Sequence, residues 1–161
     1  MARNRKPRKA YRPRPVLLDA LTLLQPAPKA QRDAVLLRLH TALESMARGS
    51  HPGPQEWRDM ADVVNTLETL TVRMEVLDAA TTQPVVDRAT AAMVAAERRY
   101  RSTGRAGLDG PGLQALRDAL QIYTQAANGL TQHAMARARE LTAKAYADSR
   151  SNRSERIAVA L

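Results

Sequence analysis

Seven of the first fourteen residues are cations: Arg3, Arg5, Lys6, Arg8, Lys9, Arg12 and Arg14, with no acid among them. Side chains of this kind neutralise nucleic-acid phosphates and release condensed counterions, so each contact adds affinity. Tyr11, the one aromatic residue in the segment, could stack on a base. Arg98, Arg99, Arg101 and Arg105 form a second basic group. They could add phosphate contacts, but cations near a helix C-terminus also complement the macrodipole and stay solvated. An acidic protein surface is an alternative partner for the basic segment, and a passive, solubilising terminus is the other alternative. The chain has 21 Arg against 4 Lys. That suits bidentate recognition of phosphate or carboxylate, although a GC-rich genome produces the same bias.

Catalytic chemistry finds no comparable footing. There is no Cys, which excludes thiolate nucleophiles, thiolate metal sites and disulfides. His40, His51 and His133 lack the second ligand of an HExxH or ExxH pattern, and each reads as a partly exposed polar residue. Asp59, Asp62 and Glu68 do not converge with a His or Ser and read as a solvated helix face. The loop containing Gly104, Gly107, Gly110 and Gly112 is followed by Leu113, whereas a P-loop needs Lys and then Ser or Thr. It also follows a helical pattern, whereas a dinucleotide fingerprint follows a strand. The expectation is a non-enzymatic protein with no metal and no cofactor.

The elements that carry these groups follow from periodicity. Pro7, Pro13 and Pro15 keep residues 1–15 out of a helix. Val16, Leu17, Ala20, Leu21 and Leu24 have the spacing of a short apolar helix that ends at Gln25-Pro26. Val35, Leu36, Leu39, Leu43 and Met46 form one stripe of a helix over 29–48. Pro54 opens the next helix at its first position, and no Gly or Pro interrupts residues 55–83. Trp57 is expected to anchor the core, with Met60, Val64, Leu67, Leu70, Met74 and Leu77 on the same stripe. A break is predicted at 81–84, then a helix over 84–102 carrying Val85, Ala89, Ala92, Met93, Ala96 and Tyr100. After a loop capped by Asp109, Leu113, Leu116, Leu120, Tyr123, Ala127, Leu130, Ala134 and Leu141 predict one helix over 111–146, about 50 Å long. Asn128-Gly129 is its weak point. That seam suits intramolecular packing or a coiled-coil dimer through residues 113–141.

The predicted fold is therefore all-α: a bundle of four main helices plus one short N-terminal helix, preceded by a disordered basic arm. Three regions follow, with the arm at 1–15, the helical bundle at 16–147 and a polar tail at 148–161. Formal charge divides unevenly among them. Residues 1–14 carry +7, residues 15–136 hold 12 basic against 13 acidic residues, and residues 137–161 hold six against three. No run approaches the roughly 18 apolar residues of a membrane span. Asp19 interrupts the apolar stretch after the basic residues, which argues against a secretory signal. A cytoplasmic protein of a bacterial host is expected, with no membrane partner.

The opening RKAYRPRPV and the segment ALESMARGSHPGPQEWRDMADVVNTLETL resemble small accessory proteins of proteobacterial phages and prophages, over roughly the first 70 residues. The resemblance implies a phage gene product acting on nucleic acid or on a host defence or regulatory protein. It carries no assigned biochemistry, so no functional residues transfer. The leading expectation is a regulatory nucleic-acid-binding protein that uses its basic arm. An inhibitor of a host protein acting through a helical face is the first alternative, and a virion or assembly component the second.

Overall fold

The computed structural model describes residues 24–48, 53–104 and 107–151. These residues form helices α1 (Lys29–Arg48), α2 (Pro54–Glu68), α3 (Ala79–Thr103), α4 (Gly110–Gly129) and α5 (Gln132–Ser151). A π-helical turn, Thr69–Arg73, continues α2. No strand occurs among the described residues, and the chain is all-α there. The basic arm, residues 16–23 of the predicted short helix, His51, Arg105 and residues 152–161 lie outside the described residues.

Leu39, Leu43 and Met46 of α1 meet Trp57, Met60, Val64 and Leu67 of α2 in one core. Trp57 is 3% exposed, as an anchor must be. The α2 helix packs against all four other α-helices, which explains why Met60 and Leu67 lose all contact with water. Met93 and Ala96 of α3 and Leu116, Leu120 and Tyr123 of α4 close the core from the other side. Of the apolar seam of the last third, Leu116, Leu120 and Tyr123 are buried in this core, with Leu113, Ala127 and Leu130 packed half-buried against it.

Two predicted long helices are each divided. The helix expected over 55–83 leaves α-geometry at Thr69, where the bonds widen to Met74 N–H→Thr69 O, at 3.0 Å. Four of the seven residues 66–72, Thr66, Thr69, Thr71 and Val72, are β-branched, a type that crowds a helix. The Thr71 hydroxyl donates to Leu67 O at 2.8 Å, and the Thr69 hydroxyl pairs with Thr142 of α5 at 2.8 Å. Glu75 then takes φ 53°, a left-handed value uncommon outside glycine. The break therefore falls at Met74–Asp78 and not at 81–84. Asp78 caps α3 by accepting from the N–H groups of Ala80 and Thr81, and its carboxyl is held below the ordinary value by the Thr81 hydroxyl and the Ala80 amide. Pro84 lies within the second turn of α3, on its solvent side.

The helix expected over 111–146 stops at Gly129. Leu130 is extended (φ −86°, ψ 153°), and the Thr131 hydroxyl accepts from Ala134 N–H at 3.1 Å to start α5. Gln132 N–H donates to Gln25 O at 2.7 Å, which ties this corner to the segment entering α1. The other end of α5 runs past the predicted tail boundary at 148 to Ser151.

Between α3 and α4, Gly104 adopts φ 70° and closes α3 through its N–H on Tyr100 O. Asp109 caps α4 as expected, accepting from Gly112 N–H at 2.8 Å. Gly112 is required there, because a Cβ would sit 2.7 Å from Asp109 Oδ1 and 3.2 Å from the Ala92 methyl. Gly112→Ala is thus expected to lower the unfolding midpoint, while Gly110→Ala, with nothing within 4 Å, leaves it nearly unchanged. Leu67→Ala should cost about 2–5 kcal/mol through the cavity it opens. Denaturant unfolding followed by helical circular dichroism checks all three, and equal effects of the two glycine changes would contradict the close approach.

Candidate functional site

Of the twelve sequence-predicted nucleic-acid contacts, the described residues include Arg98, Arg99 and Arg101. Arg3, Arg5, Lys6, Arg8, Lys9, Tyr11, Arg12, Arg14 and Arg105 lie outside them. These three arginines of α3 lie close in sequence but have different tasks. Arg99 is half-buried and donates to Gly107 O at 2.8 Å and to Asp109 Oδ2 at 3.4 Å, fastening the following loop. Arg101 pairs with Glu97 one turn back at 2.5 Å, an exposed contact of the kind that contributes little. Arg98 is exposed, and no ion pair of Arg98 occurs among the described residues. The cluster is therefore partly structural, and Arg98 is its uncommitted member.

The acidic face of α2 differs from expectation. Asp59 is only 3% exposed. Its carboxylate accepts from Gln55 at 2.9 Å and faces Arg38 Nε of α1 at 3.2 Å. A buried carboxylate needs such partners, so Asp59 locks α1 onto α2. Desolvation raises the pKa of neighbouring Asp62, helped by the charge of Asp59 and opposed by Arg38 and Arg139. Glu68 remains exposed.

Beside Glu68, the π turn, the first half of α3 and the C-terminal half of α5 enclose a groove of about 430 Å³. Asn65 bonds the Tyr146 hydroxyl and also donates to Ala61 O at 2.6 Å. The buried Thr142 hydroxyl donates to Ala138 O at 2.8 Å while paired with Thr69. Gln83 donates to Asp87 at 2.8 Å, and its own Oε1 is shielded from solvent with no hydrogen-bond partner. Burial pushes the Tyr146 hydroxyl up to about 12, with Asp62 and Glu68 adding to the shift against the Asn65 hydrogen bond. At neutral pH this phenol is a neutral hydrogen-bonding group.

These groove residues were not legible in sequence. Asn65 and Tyr146 are 81 residues apart, and none forms a recognised motif. The run of β-branched residues after Asn65 is the one local signal that the helix was strained there. Among the described residues there is no group of three or more His, Asp or Glu that could hold a metal ion, and His40 and His133 are exposed. No helix among them is long and apolar enough to cross a membrane. Comparison with known families, curated proteins and solved structures finds no match to this chain.

The Tyr146 shift has a pH signature. A phenol that ionises near 10.0 in the unfolded chain and near 12 in the fold leaves stability unaffected below the lower value. Stability is then lost as pH rises through the interval, because only the unfolded chain releases the proton early. Tyr146→Phe should remove this alkaline loss, measured by denaturant unfolding across that range, and should remove the last-ionising phenol from the ultraviolet titration. A variant with the wild-type alkaline profile would contradict the assignment.

Proposed function

We propose that this chain is a non-enzymatic, regulatory accessory protein of phage type that binds nucleic acid through Arg3, Arg5, Lys6, Arg8, Lys9, Arg12 and Arg14. Tyr11 adds a surface on which a base can stack. The observation that carries this reading is the segregation of charge. The first fourteen residues hold +7, while residues 15–136 are balanced at 12 cations against 13 acids. Counted to the end of α5, residues 15–151 hold 16 cations against 15 acids, a nearly balanced body that attracts a polyanion weakly, so the attraction lies chiefly in the appended segment.

The engagement of the body's own cations supports the same division. Arg38, Arg88, Arg99, Arg101 and Arg137 each face a carboxylate, and Arg139 donates to the Tyr123 hydroxyl at 2.8 Å. Of the secondary contacts proposed at Arg98, Arg99, Arg101 and Arg105, Arg98 and Arg101 are exposed and Arg99 is half-buried. Phosphate contacts carry no base code, so binding to DNA and RNA is governed by charge and accessibility.

In the full-length chain, replacing the seven arm cations by Gln is expected to weaken binding to DNA and RNA by about a hundredfold or more at low salt. A chain beginning at Val16 should behave alike, with unchanged helical content. Fluorescence anisotropy with labelled oligonucleotides measures both. Undiminished affinity in either would refute arm-based binding. A stoichiometric complex with one host protein that survives nuclease would favour an inhibitor instead.

A further inference from the structure

The buried side of α3 is Thr82, Val86, Ala89, Met93 and Ala96. The opposite side repeats at alternating spacings of four and three: Ala80, Pro84, Asp87, Ala91, Val94, Arg98 and Arg101. This seam is apolar at Ala80, Pro84, Ala91 and Val94 and charged at Asp87, Arg98 and Arg101, and all of it is exposed except Val94, which is half-buried. It spans about 32 Å at 1.5 Å per residue. The seam faces away from the core and borders the groove beside the π turn through Asp87 and Val94. Its centre, Ala91 and Val94, is small and apolar, and one acid and one base flank it.

We propose that this face of α3 pairs with the same face of a second copy, antiparallel, about a two-fold axis level with Ala92 and Met93. The register is dictated by charge. Antiparallel pairing about that axis sets Asp87 opposite Arg98 of the partner subunit, and Arg98 opposite the partner's Asp87. It also seats Ala91 against the partner's Val94, so a single self-complementary surface satisfies both copies, as a two-fold interface requires. A parallel pairing would instead oppose Asp87 to Asp87 and Arg98 to Arg98, and like charges placed face to face exclude it.

The state of these two residues fits a role across an interface. Arg88, Arg99 and Arg101 of α3 each have an acid partner in the same chain, whereas Arg98 has no ion pair among the described residues. Asp87 is exposed and receives a hydrogen bond from Gln83 alone on its own helix at 2.8 Å. Alanine at position 91 lets two helix axes approach closely, since interaxial distance follows the side chains at the crossing. The dimer takes up Arg98, which leaves the arm as the nucleic-acid contact and places two arms on one particle. It stands or falls independently of nucleic-acid binding.

Sedimentation velocity of the full-length protein over a concentration series, without nucleic acid, tests this directly. Wild type should form a concentration-dependent dimer. Asp87→Arg and Arg98→Asp should each weaken it by about tenfold or more, with helical circular dichroism unchanged. Mixing the two single variants restores both ion pairs between unlike chains and should regenerate dimer, and the double variant should self-associate as wild type does. A wild type that stays monomeric at hundreds of micromolar would overturn the proposal. So would folded single variants that dimerise normally, or a mixture that fails to associate.

Discussion

Trp57, Met60, Val63, Val64 and Leu67 give α2 a broad face that water does not reach, and Gln55, Arg58 and Asp62 mark its exposed strip. Each such side chain contributes about 1.5–3 kcal/mol when taken out of water, so the other helices are arranged to surround this one. Stripes on α1, α3 and α4 supply three walls, and Ala138 and Thr142 of α5 supply the fourth. Asp59 is the single carboxylate drawn into this surface, and α1 meets it with Arg38 and not with another Leu. The pair adds angular definition to the α1–α2 contact that apolar packing alone would not give. Its partner cannot be lost without stranding a buried charge.

How much of this could be read from the chain depended on how local the cause was. The α1 stripe, the Pro54 start of α2, the anchoring by Trp57 and the Asp109 cap are local, and each stands where its residues place it. The Met74–Asp78 break was hidden because no Gly or Pro marks it. It arises from crowded β-branched side chains, a left-handed Glu75 and a Thr69–Thr142 contact made across 73 residues. Thr81-Thr82-Gln83-Pro84 looked like a helix end, yet Asp78 offers a better cap four residues earlier and α3 tolerates Pro84 where it faces solvent. Asn128-Gly129 signalled weakness correctly, but a bend and a full break share that signal. The Thr131 hydroxyl and Gln25 carbonyl, which receive the new helix N-terminus, decide between them.

The same distinction governs the candidate sites. Asp59 and Glu68 are both acids on α2, and sequence cannot tell that one points at the core and the other at water. Arg98, Arg99 and Arg101 share a short run but not a purpose, because successive helix positions turn by about 100°. One braces a loop, one pairs along the helix and one is left over. The leftover arginine, the exposed Asp87 and Arg101 are then the charged features of a helix face that is otherwise small and apolar.

What emerges is a division between a body whose charges are largely balanced and a basic segment whose charges have no acidic counterpart nearby in sequence. The proposed function rests on that division, and the salt dependence of binding by the full-length chain tests it most directly. With seven cations neutralising phosphates, log affinity should fall against log salt with a slope of about −6 on duplex DNA and about −5 on single strands. A slope near zero, or a duplex affinity that persists unchanged at high salt, would contradict an arm-driven interaction and place recognition on the helical body.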